Sequence, residues 1–388
     1  MRVLIASDTY HPHVNGCSYF TQRLAHALAE RGHEVAVVAP GPTLYSTHEK
    51  HSRVHVYGVR SFPVLFVPKF RFVIPIVSGI SRRIREAMRE FKPDIVHIQM
   101  HFPISRSAIK EAKKQNIPVV ATNHFMPDNL THYLYLPKTV TRGINALAWK
   151  DAARTLRKTR GVSAPTQTAG DMLEPWLKNK VRTISNGIDL HRFNPSQSPE
   201  PARERYSLPV KPILLFVGRL DKEKNVDVVL KAAALALPHV DFHVIIAGHG
   251  AEERKLQALS KKLDIERKVT FAGFVPDELL PSLYAAAHCF VNAGTAELQC
   301  IVAMEAMSTG LPVLGAKAVA LPELIHHGEN GYLFEPGDVV ALSEQLKTIF
   351  SQPKLRKQMG RKSLEIISKH DIHLTLEAFE DFYRKAMA

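Results

Sequence analysis

The sequence predicts an α/β protein of two Rossmann-like, doubly wound domains facing a central cleft, and three observations predict it. Short β-branched runs alternate with amphipathic helical stretches along the whole chain, the pattern of parallel sheets covered by helices on both faces. The alternation begins twice, near Arg2 and again near Lys211. The length of 388 residues also exceeds what one hydrophobic core normally organises.

The elements follow in order. Buried strands are expected at 3–6, 34–38, 95–98, 119–122 and 162–164, then at 213–217, 243–247, 269–272, 289–291 and 313–315. Helices such as 19–30 and 226–236 lie between them. The polar, proline-rich stretch 193–201 reads as a linker or long surface loop. Two domains are therefore expected, 1–190 and 191–370, with a last helix at 371–388 packing back on the first. Ligands of such sheets bind at the C-terminal ends of the strands.

Composition narrows the function. The formal net charge of +14 favours anionic partners: nucleic acid, anionic lipid headgroups or anionic substrates. Zinc fingers, RNP motifs and compact basic recognition helices are missing, so no nucleic acid partner is expected. Cys17, Cys289 and Cys300 are odd in number and far apart, which suits a reducing, cytoplasmic compartment. The first residues read as a strand rather than a signal peptide, and no uncharged run reaches the roughly 18 residues of a membrane span. The 20 histidines are scattered without metal spacing, so no metal site is expected.

Chemistry concentrates in the second half. Glu297 sits in a Gly/Thr/Ala loop, and Glu305 falls about one turn inside the helix that follows and stops at Gly310. The free N–H groups at that helix start, around Cys300, Ile301 and Val302, attract phosphate, while the carboxylates suit sugar hydroxyls. Upstream, Gly218-Arg219-Leu220-Asp221-Lys222-Glu223-Lys224-Asn225 follows a strand. Arg219 can clamp phosphate oxygens and Lys224 can add a point charge. The same residues could make an ordinary solvated loop. Gly248-His249-Gly250 is a tight turn after the next strand, without the GxGxxG dinucleotide fingerprint. Phe274-Val275-Pro276 could offer backbone to a nucleobase.

These four elements, in this order, closely resemble glycosyltransferase family 4, the retaining enzymes of GT-B fold. The matching residues are Gly218-Arg219-Leu220 with Glu223-Lys224-Asn225, Gly248-His249-Gly250, and Glu297 to Glu305-Ala306-Met307 before Gly310-Leu311-Pro312-Val313. The resemblance implies a nucleotide-sugar donor and no essential metal or other cofactor. Arg219 and Lys224 would hold the diphosphate, Glu297 the transferred sugar, and Glu305 the ribose. Gly16, Gly218, Gly248, His249, Val275, Cys300, Ile301 and Val302 would line the donor. Cys300 stands where the family usually has glycine, so its side chain either narrows the sugar pocket or points into the core.

The first half supplies the acceptor side. The loop 8–18 carries Asn15-Gly16, one glycine where the family usually has a pair. His124 ends a buried strand, and in the family a histidine there faces the donor sugar. His97 reads as a packed strand residue. The stretch 123–130 looks most like the lipid-acceptor branch, which includes glucosyl-diacylglycerol synthases and phosphatidylinositol mannosyltransferases. Independently, an apolar aromatic segment with Phe66, Phe70 and Phe72 leads into a basic amphipathic helix with Arg82, Arg83 and Arg85. Apolar wedge plus cationic helix suits an anionic membrane surface; the same pattern also fits a core-packed helix with a solvated basic face. The expected enzyme is a retaining hexosyltransferase, cytoplasmic and peripheral at the inner face of the membrane, moving a UDP-glucose-like sugar to a lipid such as diacylglycerol. A soluble sugar or small metabolite is the alternative acceptor.

Overall fold

The structure, a computed structural model, describes residues 1–11, 13, 15–51, 53–63, 71–127 and 137–388. It divides into two compact units. The first holds Met1–Pro127, the described part of Leu134–Asn186, and Thr375–Ala388; the second holds Gly187–Leu374.

The first unit is built on β1 (Arg2–Ala6), β2 (Glu34–Pro40), β3 (Thr47–His51) and β4 (Val54–Val59), with a small hairpin of β5 (Phe62–Pro63) and β6 (Arg71–Phe72). β7 (Ile95–Ile98), β8 (Val119–Thr122), β9 (Gly161–Ala164) and β10 (Arg182–Thr183) complete it. The sheet order is β10-β9-β8-β7-β1-β2-β4-β3, parallel except for the β3–β4 edge. Val3 to Ala6 on β1 are fully buried, because helices cover both faces of a parallel sheet.

The second unit contains β11 (Ile213–Val217), β12 (His243–Ala247), β13 (Val269–Gly273), β14 (Cys289–Asn292), β15 (Val313–Ala316) and β16 (Gly331–Phe334). Its order, β13-β12-β11-β14-β15-β16, is the all-parallel doubly wound 3-2-1-4-5-6 arrangement. The order reverses between β11 and β14, so the loops leaving these two strands stand side by side. That is where such a sheet presents a ligand crevice. In the first unit the reversal lies between β1 and β7.

Local chemistry sets the helix ends. Asn15 Oδ1 caps Gly16–Glu30 by accepting from the Ser18 N–H at 2.9 Å, and Thr166 caps Gln167–Leu177 from Ala169. The sequence pattern misses β3, β4, β10 and β16 and the two-residue strands β5 and β6. The stretch 193–199 is irregular and, apart from Phe193, exposed or half-buried. It is a surface loop rather than a free linker, since Phe193 is buried against Tyr284, with ring centroids 5.8 Å apart, and anchors it in the second core.

Helix Ile372–Met387 ends the chain, and its Thr375–Ala388 part belongs to the first unit. Phe379 is fully buried, 5.9 Å from the Phe20 ring and 5.4 Å from the His97 ring. Tyr383 Oη and His97 Nδ1 lie 2.9 Å apart, and His97 Nε2 meets Thr122 Oγ1 at 2.7 Å. His97 is thus a packed strand residue. Glu380 accepts from Arg31 Nε at 2.9 Å.

Phe379→Ala should therefore lower stability by about 3–5 kcal/mol. Urea unfolding followed by circular dichroism measures it, and a loss under about 1 kcal/mol would mean that this helix does not hold the first unit together.

Candidate active site

The crevice of the second unit is built by backbone closeness before any side chain acts. A Cβ on Gly248 would lie 1.9 Å from the Gly218 carbonyl oxygen, and one on Gly250 would lie 2.3 Å from that of Leu220. Only glycine permits the loops after β11 and β12 to touch in this way. The contact is closed by Leu220 N–H donating to His249 O at 2.9 Å.

The loops after β11 and β14 are joined by polar side chains. Lys224 Nζ donates to Glu297 Oε1 at 2.6 Å, with side-chain exposures of 18% and 15%. Asn225, in the left-handed region at φ 49°, donates to Ala293 O at 3.0 Å. Asn292 Oδ1 accepts from Gly294 N–H at 2.7 Å, while its Nδ2 reaches Glu297 Oε1 at 3.3 Å and Cys300 Sγ at 2.9 Å. Arg219 pairs with Asp221 and, at 3.0 Å, with the buried Glu223. Burial opposes both charges of the central pair, yet each partner outweighs it. Lys224 is held above the usual lysine value, and Glu297 below the usual carboxylate value.

Helix Ile301–Ser308 begins at this point, and Cys300 occupies its N-cap without a side-chain cap bond. The first-turn N–H groups of Ile301 and Val302 have no acceptor within the helix. Glu305 lies one turn further in, nearly buried, and accepts from Tyr284 Oη at 2.8 Å. Cys300 is 1% exposed and belongs to the core of the unit. Burial pushes its thiol well above the ordinary range, so it stays protonated. Its side chain is packed in that core, with Sγ against Asn292 Nδ2. Val275 is buried in the same core, His249 is exposed and bonded to Glu253 at 2.8 Å, and Gly218 follows directly on β11.

In the first unit the corresponding strand ends carry different groups. Gly16 opens the helix after β1 and is exposed. Of the loop before it, Pro12 and Val14 lie outside the described residues. His124, just beyond β8, packs on Phe20 with centroids 4.7 Å apart, and its Nε2 lies 3.1 Å from Gln99 Oε1. Burial lowers its pKa to about 3, so the imidazole is neutral. Sequence reasoning quoted Asn225 in the motif but gave it no role, and missed Gln99 and Asn292. Asn292 carried a faint signal, a polar residue at the end of an apolar run, but its meaning depends on which strands are neighbours.

The basic helix, Ile80–Phe91, turns its apolar face inward: Ile80, Ile84, Ala87, Met88 and Phe91 are buried. Arg83 is also taken out of solvent. Its side chain is 12% exposed, it stacks on Tyr57 with 5.2 Å to the ring centre, and it bonds Thr47 O. This corrects the expectation that Arg82, Arg83 and Arg85 share one open face; Arg82 and Arg85 remain exposed, beside Glu86 and Glu111. Three exposed apolar groups stand just before the helix, Phe72 at 42%, Ile76 at 94% and Val77 at 47%. Phe66 and Phe70 lie outside the described residues, as do 128–130 of the lipid-branch stretch. Among the described residues no helix is long and apolar enough to cross a membrane, and no group of three or more His, Cys, Asp or Glu could hold a metal ion.

Known proteins are similar to this chain in sequence and in fold. The pattern of Glycosyltransferase Family 4 matches residues 14–192, and that of Glycosyl transferases group 1 matches 200–365. The chain is 29% identical to the sulfoquinovosyl transferase SQD2 of Arabidopsis thaliana, over 92% of this chain and 68% of that protein. It is 29% identical to a GDP-mannose-dependent alpha-mannosyltransferase of Mycobacterium tuberculosis, over 87% and 85%. It is 26% identical to the alpha-monoglucosyldiacylglycerol synthase of Streptococcus pneumoniae, over 98% and 85%. In fold it resembles sucrose-phosphate synthase from Thermosynechococcus elongatus, with a TM-score of 0.81, 20% identity and 99% of both chains covered. It also resembles Anabaena HepE in complex with UDP-glucose, with a TM-score of 0.78, 19% identity and 99% of both chains covered.

Two outcomes follow from this geometry. Lys224→Met should cost about 1–3 kcal/mol, the loss of a mostly buried, hydrogen-bonded partner. Glu297's contribution is present above its unfolded-state value and lost as pH falls through its depressed folded value; that of Lys224 is full below its unfolded-state value and lost as pH rises through its raised one. In the variant the burial of Glu297 is no longer offset by Lys224, so its carboxyl moves up and the gap between wild type and variant should widen as pH rises through that raised value. Denaturation at pH 5 and pH 8 checks this, and a gap that stays constant between them contradicts it. Cys300→Gly should lower stability by about 1–2 kcal/mol through lost packing and added backbone freedom. Its profile across donor sugars should stay unchanged; a changed profile with an unmoved melting curve would put the thiol in the sugar pocket.

Proposed function

The chain belongs to the family 4 glycosyltransferases, in the GT-B fold class, and from that premise we propose that it moves a hexose to a membrane lipid. The donor in this reading is a nucleoside-diphosphate sugar of UDP-glucose type, transferred with retention at the anomeric carbon. GDP-mannose is the competing donor, since a GDP-mannose-dependent mannosyltransferase is among the relatives. The reading is supported at the acceptor end by one observation above all. Exposed Phe72, Ile76 and Val77 stand immediately before a helix with exposed Arg82 and Arg85. A diacylglycerol-glucosylating synthase among the relatives agrees with it.

The roles follow from the chemistry. The donor diphosphate competes with Asp221 and Glu223 for Arg219 and with Glu297 for Lys224. Released from Lys224, Glu297 accepts from the sugar hydroxyls, and Glu305 from the ribose. The first turn of helix Ile301–Ser308 supplies N–H donors to the phosphates. His124 meets the transferred sugar as a neutral imidazole. As the bond to the leaving group breaks, charge grows on the diphosphate, where Arg219 and Lys224 stabilise it most. The two cations supply the neutralising charge, so the mechanism calls for no metal ion. No carboxylate is assigned as nucleophile; the acceptor hydroxyl attacks from the face the leaving group departs, forming the new C–O bond as the sugar–phosphate bond breaks and passing its proton to the departing diphosphate oxygen. The enzyme in this reading is cytoplasmic and peripheral at the inner face of the membrane.

Purified protein should glucosylate diacylglycerol from UDP-glucose in vesicles containing anionic lipid, and much less in neutral vesicles, as read by mass spectrometry. The combined change Ile76→Asp, Arg82→Glu and Arg85→Glu should abolish vesicle sedimentation, since each cation contributes roughly 1 kcal/mol. UDP affinity should be unchanged. Equal transfer to a soluble sugar without vesicles would overturn the lipid acceptor and favour the soluble one.

A further inference from the structure

We propose that Gln99 is a positioning residue for His124, holding its imidazole in one tautomer and one orientation. This rests on the reading that His124 meets the donor sugar. Gln99 follows β7 directly, at the reversal point of the first sheet, and its N–H donates to Ala6 O on β1 at 3.0 Å. Its side chain is fully buried. The carboxamide oxygen lies 3.1 Å from His124 Nε2. A carbonyl oxygen only accepts, so Nε2 carries the proton and Nδ1 keeps its lone pair. Phe20 packs on the same ring from helix Gly16–Glu30, with centroids 4.7 Å apart, so the ring is fixed in plane and in rotation.

The other end of the amide makes the case. Gln99 Nε2 is buried without a hydrogen-bond partner among the described residues. A methionine of similar volume would fill the place without leaving a donor unsatisfied. The glutamine is therefore a poor choice for stability, and its one satisfied side-chain bond is the bond to His124. Such a residue contributes orientation rather than packing. His97 is the titratable neighbour of the ring; burial lowers it to about 3, so it adds no charge.

The test compares Gln99→Met, Gln99→Glu and His124→Ala. Gln99→Met should keep or raise the melting temperature, lower kcat about tenfold or more, and leave donor KM within about twofold. Nitrogen-15 spectra of histidine-labelled protein, assigned by difference from His124→Ala, should show His124 as the Nε2–H tautomer in wild type. In Gln99→Met they should show a tautomer mixture. Gln99→Glu places a carboxylate against the ring and stabilises imidazolium. Activity should then be lost at acidic pH and return as pH rises through the new pKa, a limb absent from wild type. An unchanged tautomer and pH profile across the Gln99 variants, or a fall in melting temperature that accounts for the lost rate, would overturn the proposal. Full activity of His124→Ala would overturn the role of His124 instead, and the tautomer spectra would still decide whether Gln99 orients the ring.

Discussion

The ligand end of the second unit depends on the contact between Lys224 and Glu297. The two residues are far apart in sequence, and the fold brings them together because β11 and β14 are neighbours at the reversal of strand order. The pair ties two loops that would otherwise move independently, and Asn225 and Asn292 reinforce it from either side. Its incomplete burial matters for function. A fully enclosed ion pair would have to be desolvated again to admit a phosphate, whereas a pair with 15–18% of its side chains exposed can exchange partners. The glycines beside it bring the backbones of the loops after β11 and β12 into direct contact.

The first unit uses the same topological position with neutral groups. Asp8, at the end of β1, is occupied in capping helix Pro103–Lys114, accepting from Ile104 N–H at 2.8 Å and Ser105 Oγ at 2.7 Å. Burial raises its pKa. What remains at the neighbouring strand ends is an amide and an uncharged imidazole. Under the proposed function this is a contrast of tasks, with charge where a diphosphate would sit and neutral hydrogen-bonding groups where hydroxyls would be oriented.

Much of this was legible in the sequence, for a definable reason. Strands buried on both faces must be apolar along their whole length, so β7, β8, β11 and β12 announce themselves at their observed boundaries. β3, at an exposed edge, reads Thr-His-Glu-Lys-His and carries no such signal. The glycine turns and the cation-bearing loop after β11 were visible because chain neighbours make them. Gln99 was invisible because its meaning comes from His124, on the next strand, and from the register of β7 against β8. The basic helix shows a further limit. An amphipathic period states that one face is apolar, not whether that face meets a bilayer or the protein's own core, and here it meets the core.

That result constrains how a membrane could be engaged at all. With the helix face covered, the described apolar contribution comes from Phe72, Ile76 and Val77, only one of them nearly fully exposed. Burying one such side chain in a bilayer is worth about 1.5–3 kcal/mol, and each of the two open arginines adds roughly 1 kcal/mol, reduced by Glu86 and Glu111 nearby. A total near 4 kcal/mol corresponds to a dissociation constant of about 1 mM. Under the proposed function, these residues alone would give contact but not residence. The remaining affinity has to come from the intervening sequence Val64-Leu65-Phe66-Val67-Pro68-Lys69-Phe70, which combines two aromatic rings, three aliphatic side chains and a cation. Under the same proposal, two signals of moderate strength on adjoining segments of the sequence would give reversible binding, which suits an enzyme meeting a lipid acceptor in the bilayer and a charged donor in water.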